Sequence, residues 1–497
     1  MDNEPGMGQR ITTEYAPGIT NTQSKPDPLP FLISTTSLSL GNEMKTTNVR
    51  EEEMDSLPEE IRSHILSLMP TKFAVQTSIL SKSWRYTWTL VTNLDFDFVD
   101  GDGDDYALDL VDYTFVNRVF NSHKASKLNI FRLHFGLNQN PNVSHWVDKA
   151  VKLNVCVLDM CVPRDHLPLS IFTCTTLTML RLHHVENIWE CPSRVTLPCL
   201  KTLDIIVYRN PFLNAFKLIP GCPVLETLSL QVDYVCNLQQ QQPPYIFSIP
   251  TLKRFKLTIN DDMPVFHKVV LRLPILEHLC VGGSLSSLYV MEDLPPLFEA
   301  DISSLSSSSP RLWLQLLKGI TGAKSLTTQD VDFLVRLPIF PNMKRLEVKL
   351  FIDLGKIPQF LERFPDLKYI CLGLVRVCLT SFYPYVISNN EFCLSSKQKS
   401  TLSYWMEPKV VPGCIRTNLT TLKYTLCKET MRYDMKLLRY ILGNAEVLKT
   451  VTVTCGHLFS PELFSLEEEK WVHSELLKFP RASMDCAIKV VALGLLH

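Results

Sequence analysis

The feature that most constrains the fold of this chain is an apolar pattern, L-x-x-L-x-L, that recurs roughly every 24 residues from position 128. The last two apolar positions are separated by one residue, as in a short strand that turns alternate side chains inward. One such unit cannot bury its apolar face alone, whereas a stack of units can. The pattern therefore predicts an elongated stack of small repeats in place of one large core.

The period of the pattern is that of leucine-rich repeats. The first eight instances are Leu128-Phe131-Leu133, Leu153-Cys156-Leu158, Leu177-Leu180-Leu182, Leu200-Leu203-Ile205, Leu225-Leu228-Leu230, Leu252-Phe255-Leu257, Leu276-Leu279-Val281 and Leu297-Ala300-Ile302. The pattern resumes at Met343-Leu346-Val348 and Leu367-Ile370-Leu372. The gap between Leu297 and Met343 has room for two units, of which one is not recognisable by pattern. The asparagine of the commonest repeat form is missing, so we expect an irregular solenoid over 120–385.

Residues 1–50 mix Pro, Gly, Thr, Asn and Ser without periodicity, which is typical of a disordered leader. A helical pattern follows over 54–70, with a capping box predicted at Ser56 and Glu59 and an end at Pro70. A second helix is expected over 71–80 and a third over 81–90. Three short helices are marginal alone, so their remaining apolar face is expected to dock on another surface.

Two further segments carry predictions. The acid-rich segment 95–109 fails as a calcium loop, because Asp105 and Val111 occupy positions that need Gly and Glu, and we expect a solvated acidic turn. Over 404–485 the sequence predicts a strand near 418–426, a helix near 435–444, and a strand with Val451 and Val453 inward. A final helix containing Leu476 and Leu477 would close the stack, whose last apolar face needs a cap.

Charge and cysteine usage limit the class of protein. With 50 basic and 51 acidic residues, the net charge of −1 argues against a general binder of nucleic acid. No apolar run reaches 18 residues and no secretory signal is recognisable, so no membrane span is expected. The 15 cysteines are scattered without a C-x-x-C pair, which favours reduced thiols in a cytoplasmic or nuclear protein. We find no phosphate-loop, dinucleotide, nucleophile-elbow or zinc motif, and expect no catalytic residue, metal or cofactor.

The segment LPEEIRSHILSLMPTKFAVQTSILSKSWRYTWTLVTNLDFD resembles a plant F-box. The order F-box, leucine-rich repeats, then PKVVPGC…LTTLKYTL…AEVLKTVTVT is similar to the plant F-box/FBD/LRR family. The resemblance implies an α/β fold: a three-helix F-box over 51–97, an irregular leucine-rich-repeat solenoid, and an FBD-like α+β module over 404–485. It also implies a substrate-recognition subunit of an SCF-type cullin ubiquitin ligase. Its F-box would bind the adaptor, and its repeats would hold a target protein that the sequence does not identify.

The resemblance also implies which residues bind the adaptor, namely those at the F-box motif positions. They are Leu57, Pro58, Ile61, Ile65, Val75, Leu80, Ser81 and Trp84. For Ile65, Leu80 and Trp88, holding the F-box together is an equal alternative. Phe73 stands where acidic or small polar residues are common, and Gln76 and Ser83 where basic residues are common, which should weaken electrostatic steering. The alternative function is a non-catalytic interaction scaffold whose drifted F-box does not direct ubiquitination.

Overall fold

The computed structural model has a mixed α/β fold dominated by parallel sheet. It describes the residues 56–98, 113–135, 143–162, 167–183, 194–208, 213–233, 244–260, 268–285, 287–306, 309–328, 338–349, 357–373, 407–426, 428, 431–456 and 464–492. The predicted leader 1–50 lies outside these residues. Among the described helices, none combines the length and the apolar character that a bilayer crossing requires.

The N-terminal helical region contains two α-helices, α1 (Glu59–Leu66) and α2 (Thr71–Gln76), followed by 3₁₀ turns at Thr77–Ile79 and Thr87–Leu90. The predicted capping box is wrong, because α1 has Pro58 as its N-cap and no side-chain cap. The third predicted helix is also wrong. Residues 82–86 form turns, and only the last four residues of the segment are helical.

Among the described residues, the main sheet has 16 strands. Its path is formed by β1 (Asn93–Asp97), β2 (Ile130–His134), β3 (Val157–Cys161), β4 (Met179–His183), β5 (Thr202–Tyr208), β6 (Thr227–Asp233), β8 (Arg254–Asn260), β10 (His278–Ser284), β12 (Glu299–Ile302), β14 (Ser325–Thr328), β15 (Arg345–Val348), β16 (Tyr369–Leu372), β17 (Thr421–Leu426), β18 (Thr450–Cys455) and β19 (Ala487–Ala492). Each strand pairs in parallel with the next. The short β13 (Leu305–Ser306) pairs with β10.

The strand register follows the repeat pattern in all but one of the predicted units. Leu180 lies opposite Leu203, and Leu203 opposite Leu228, so equivalent leucines form columns across the sheet that water does not reach. In the second predicted unit the assignment is wrong by two residues. Leu158, and not Cys156, lies opposite Phe131, so this unit is Val155-Leu158-Met160.

Besides the short β13, three strands on the path of the main sheet were not recognised in the sequence. The gap after Leu297 contains β14, whose inward residues Leu326 and Thr328 lie opposite Leu346 and Val348. This strand supplies the expected extra unit. At the N-terminal end, β1 turns Leu94 and Phe96 inward, so residues 95–97 of the predicted acidic turn are strand; residues 99–109 lie outside the described part. At the C-terminal end, β19 extends the sheet beyond the predicted module.

The connections between sheet strands are short helices or strands. The α-helices are α3 (Thr114–Ser122), α4 (Ser144–Lys152), α5 (Leu213–Leu218), α6 (Pro310–Gly319), α7 (Ile357–Leu361), α8 (Gly413–Thr417), α9 (Met431–Asn444) and α10 (Leu466–Leu477), with 3₁₀ turns at Leu169–Thr173 and Ile219–Gly221. Between β6 and β12 the connections are instead strands. There β7 (Tyr245–Ser248), β9 (Lys268–Arg272) and β11 (Leu288–Glu292) form a second, three-stranded parallel sheet.

The C-terminal elements agree with the predicted order. A strand, a helix and a strand occur as β17, α9 and β18, and Val451 and Val453 are buried as predicted. The helix α10 begins with a capping box, in which Ser465 accepts from the Glu468 amide and the Glu468 carboxylate accepts from the Ser465 amide. Leu476 is buried, but Leu477 is exposed.

Candidate functional site

The two N-terminal helices are attached to the first strand of the sheet by hydrogen bonds. The Thr92 amide donates to Ser67 Oγ at 3.0 Å, and the Asn93 side-chain amide donates to the Ser67 carbonyl at 2.8 Å. The Asp95 amide donates to Thr71 Oγ1 at 2.7 Å, and the Thr71 side chain is buried. These contacts hold one side of the helical region against β1, so its opposite side faces solvent.

The interior of the helical region is small. Leu66 of α1 and Ala74 of α2 are buried together with Trp84. The Arg62 guanidinium lies 5.9 Å from the centre of the Trp84 ring, a cation–π arrangement that favours a charged group beside the indole. Trp84 is only 4% exposed, so it packs the region and offers little area to a partner. This burial does not support the prediction that Trp84 contacts the adaptor.

The outer side of the helical region exposes large apolar side chains. They are Ile61, Leu68, Phe73, Ile79, Leu80 and Tyr86. Ile79, the last residue of the 3₁₀ turn, is 79% exposed, and Leu80 directly after it is 70% exposed. Covering two such side chains contributes roughly 1.5–3 kcal/mol each, so this surface is suited to a protein partner.

A surface groove of about 720 Å³ lies beside these residues. It is lined by Val75, Ser78, Ile79, Ser81, Lys82, Arg85, Tyr86 and Trp88. Two predicted adaptor-binding residues, Val75 and Ser81, belong to this lining. The hydroxyls of Ser81 and Ser83 lie 2.8 Å apart, a hydrogen bond that ties the turn after Leu80 together.

The other predicted residues are placed elsewhere. Leu57 and Ile65 are half-buried at the two ends of the first helical segment, and Pro58 and Ile61 are exposed there. None of these four lines the groove. Leu80 is exposed, so the alternative that it holds the region together is not supported by its position.

Sequence reasoning missed the groove residues Ile79, Lys82, Arg85 and Tyr86. A usable signal was present, because the adjacent apolar residues Ile79 and Leu80 cannot both face the inside of a short helix. Lys82 and Arg85 are exposed. They supply positive charge close to the position where Ser83 replaces the family's basic residue.

The outward side of the main sheet is a second candidate surface. Arg132 of β2 bridges Asp95 and Asp159 at 2.8 and 3.3 Å, and Arg181 of β4 bridges Asp159 and Asp204 at 2.9 and 3.2 Å. These five residues share one register position on five successive strands. Opposite charges therefore alternate along this row and neutralise one another.

The carboxylate at the centre of this row has a strongly shifted acidity. Burial by itself would raise the pKa of Asp159, but the hydrogen bond from His134 and the charges of Arg181 and Arg132 outweigh it. Together they lower the pKa of Asp159 to about 2. The pKa of Asp204 is lowered as well, against the effect of burial, by His183, Ser229 and Arg181. Both groups are carboxylates engaged in ion pairs and are poor general acids or bases at neutral pH.

Metal-binding clusters and thiol acidity were the remaining chemical features to locate in the described part of the chain. No three His, Cys, Asp or Glu side chains there are positioned to hold a metal ion. Burial raises the pKa of Cys222 to about 12 and that of Cys414 to about 11, which keeps these thiols protonated. All described cysteines are free thiols.

Comparison with known families identifies two domains in the chain. The F-box domain model matches residues 54–95, and the FBD model matches residues 407–453. The first covers the helical region with its exposed apolar side, and the second covers β17, α9 and much of β18.

Full-length relatives occur in Arabidopsis thaliana. One F-box/FBD/LRR-repeat protein is 30% identical over 465 residues, which cover 88% of this chain and 93% of the relative. A second F-box/FBD/LRR-repeat protein is 29% identical over 476 residues, covering 89% of this chain and 97% of the relative. An FBD-associated F-box protein is 28% identical over 443 residues, covering 88% and 97%. With two matching domains and a relative similar over almost its whole length, the chain belongs to the F-box/FBD/LRR-repeat protein family.

Proposed function

We propose that the protein is the substrate-recognition subunit of an SCF-type cullin ubiquitin ligase. The observation that carries this proposal is the exposed apolar side of the F-box, where Ile79 and Leu80 are among the most exposed large apolar residues described. F-box domains typically bind Skp1-like adaptors and, through them, cullins. An adaptor that covers this side would remove from water an apolar surface that monomeric proteins rarely leave open.

In this proposal the repeats form a leucine-rich-repeat solenoid that binds a target protein. The parallel sheet supports it, since successive strands present a long row of outward side chains from a rigid core. The receptor contributes no chemistry of its own. It holds the target near the ubiquitin-charged enzyme, so that the transfer benefits from a high effective concentration. Such a receptor needs no cofactor, nucleic acid or membrane, and works in the cytoplasm or the nucleus.

Adaptor docking is proposed to use the exposed members of the predicted set together with the groove. Leu80 and Ile79 would enter an apolar pocket of the adaptor, while Pro58 and Ile61 contact its rim. Lys82 and Arg85 would compensate for the charge missing at Gln76 and Ser83, and would steer an acidic adaptor surface. Trp84, which is buried and contacts Arg62, would contribute by packing the interior of the F-box.

The test is a titration of the full chain with a plant Skp1-type adaptor. The double variant Ile79→Asp/Leu80→Asp should weaken adaptor binding at least about tenfold, because two buried apolar contacts become charged. The matched control is Leu466→Asp on α10, where the leucine is 65% exposed but lies outside the F-box. This control should bind the adaptor like the wild type.

Two results would count against the proposal. If the wild-type chain does not bind the adaptor, the protein is better described as a non-catalytic interaction scaffold. The missing basic residues at Gln76 and Ser83 favour that alternative. If the double variant and the control bind equally well, the exposed apolar side is not the docking surface.

A further inference from the structure

The two halves of the main sheet differ in how their outward charges are arranged. Between β1 and β5 the arginines are held in alternating ion pairs with carboxylates. From β14 to β19 the charged residues at outward and strand-entry positions are instead mostly basic, with Glu347 on β15 as the acidic exception. We call this second region the basic surface; its cations are Lys324, Lys344, Arg345, Lys368, Lys423, Lys449 and Lys489, all exposed.

The lysines of the basic surface are neighbours in space. The Lys344 amide donates to the Lys324 carbonyl, and the Lys368 amide to the Lys344 carbonyl, so these residues enter adjacent strands. Lys449 lies immediately before β18, and its amide donates to the carbonyl of Thr420, the residue immediately before β17. Further along the strands, Lys423 lies opposite Cys371 and Thr452, and Thr452 opposite Lys489. Adjacent strands are about 4.8 Å apart, so the positive potentials of these lysines add at the surface.

Little negative charge offsets these cations. Lys344 pairs with Asp366 at 2.6 Å, and Arg345 pairs with Glu347. The remaining lysines have no ion pair with any residue that the structure describes. They are Lys324, Lys368, Lys423, Lys449 and Lys489. Such a cluster costs repulsion in the unbound protein and is relieved by an acidic partner.

An aromatic ring lies in the middle of the basic surface. The Arg345 guanidinium stacks 3.8 Å from the centre of the Tyr369 ring, and the Lys423 ammonium lies 5.8 Å from it. Stacking on Tyr369 holds the Arg345 fork in one orientation, which favours bidentate contact with a carboxylate. Tyr and Arg are also the residues that dominate binding energy in protein interfaces.

The neighbouring outward positions are hydroxyls. They are Thr421 and Thr425 on β17, and Thr450, Thr452 and Thr454 on β18. Threonine hydroxyls donate hydrogen bonds to carboxylates without adding charge. The chemistry of the surface therefore combines fixed cations with short neutral donors.

We propose that the basic surface of β14–β19 binds an extended acidic segment of the target protein. Six strands span about 24 Å, which matches about seven residues of extended chain at 3.3 Å per residue. The segment would run across the strands, with its carboxylates on the lysines and Arg345 and one side chain against Tyr369. Single-stranded nucleic acid fits less well, because it uses several stacking aromatics and Tyr369 is the one aromatic at an outward position of these described strands.

This inference rests on the proposed function for its target, but it can be tested separately. The full chain is titrated with a fluorescein-labelled eight-residue peptide of alternating Asp and Ala, and anisotropy is recorded. The same peptide with Asn replacing Asp, and an eight-nucleotide oligouridylate, serve as comparison probes. Binding of the Asp peptide should exceed that of the Asn peptide and should fall as NaCl is raised, because salt screens exposed charges.

The variant pair is matched by position in the repeat. Lys368→Glu/Lys423→Glu alters the strand-entry and central outward positions of the basic surface, and should weaken binding of the Asp peptide about tenfold or more. Lys201→Glu/Lys256→Glu makes the same change at the equivalent exposed positions, immediately before β5 and in the middle of β8, and should change binding less than about twofold. All four positions are exposed, so circular dichroism melting should show folded variants.

The inference is overturned if the wild type does not prefer the Asp peptide over the Asn peptide. It is also overturned if both double variants lose binding equally, or if oligouridylate binds more tightly than the Asp peptide. Adaptor binding is measured on the same preparations. If the Asp peptide shows no preferential binding while adaptor binding is intact, only the inference about the basic surface is rejected. If the Asp peptide binds but the adaptor does not, only the ligase role is rejected.

Discussion

The hydroxyl of Tyr424 donates a hydrogen bond of 2.7 Å to Oδ1 of Asp434 in the interior of the C-terminal module. Asp434 is buried in the first turn of α9, where the helix dipole favours a negative charge. Tyr424 is an inward residue of β17. The bond therefore joins the strand and the helix that follows it, across the segment matched by the FBD model.

Removing this hydroxyl should destabilise the module. Tyr424→Phe leaves the ring but deprives a buried carboxylate of a donor, which costs roughly 1.5–3 kcal/mol. We expect a lower midpoint of thermal unfolding, measured by calorimetry on the full chain. The control is Tyr433→Phe on α9, a partly buried ring that contacts Lys436 through its face and should tolerate the change. Equal midpoints for the two variants would show that the Tyr424–Asp434 bond carries no stability.

The charged row of β1–β5 predicts an acid-dependent stability. The pKa of Asp159 is about 2 in the folded protein and 3.8 when unperturbed, so folding favours its ionised form. Its contribution is complete above the unfolded pKa and is lost as the pH falls from about 4 towards 2. We expect Asp159→Asn to lower the unfolding midpoint at pH 7, and the difference from wild type to shrink over that acidic range.

Asp366→Asn is the control for this effect. The pKa of Asp366 is lowered by the hydrogen bond and charge of Lys344, but the pair is exposed on the sheet rim. Exposed pairs contribute little because water screens them. The midpoint of Asp366→Asn should therefore stay close to that of the wild type at every pH. A constant midpoint difference for Asp159→Asn from pH 7 to 2 would disprove the role of its ionisation.

The strands and their register were predictable from sequence where inward positions carry large apolar residues, as at Leu203 and Leu228. The same rule failed where two registers fit equally well. Around β3, both Leu153-Cys156-Leu158 and Val155-Leu158-Met160 satisfy the pattern, and only the pairing with Phe131 distinguishes them. It also failed at β14, where small or polar residues replace leucine. Thr328 there is fully buried, and no sequence pattern identifies it as an inward residue.

The candidate site was less predictable than the fold. A motif shows that Leu80 and Trp84 belong to an F-box, but exposure depends on which elements pack around them. The turns at 82–86 replace a predicted helix and bring Trp84 beneath Arg62, while Leu80 stays in solvent. The basic surface was also hidden, because its cations, apart from the adjacent Lys344 and Arg345, are 20 or more residues apart in sequence and meet only through strand pairing.

The cysteines should differ in reactivity even where they lie close in sequence. Burial raises the pKa of Cys222 to about 12, and its thiol donates to the Leu218 carbonyl at 3.3 Å. Cys199 is an exposed thiol in the preceding repeat. Since the thiolate is the nucleophile, iodoacetamide at pH 8 should modify Cys199 quickly and Cys222 only after unfolding. Mass spectrometry of timed samples checks this, and rapid labelling of Cys222 in the folded protein would contradict its burial.

The final prediction separates packing from docking within the F-box. Trp84→Ala removes a buried indole and its contact with Arg62, so it should cost about 3–5 kcal/mol and lower the unfolding midpoint of the F-box. Leu80→Asp changes an exposed side chain and should leave that midpoint unchanged while weakening adaptor binding. Calorimetry and adaptor titration of both variants provide the comparison. If Leu80→Asp instead lowers the midpoint as much as Trp84→Ala does, Leu80 packs inside the domain and the proposed docking surface must lie elsewhere.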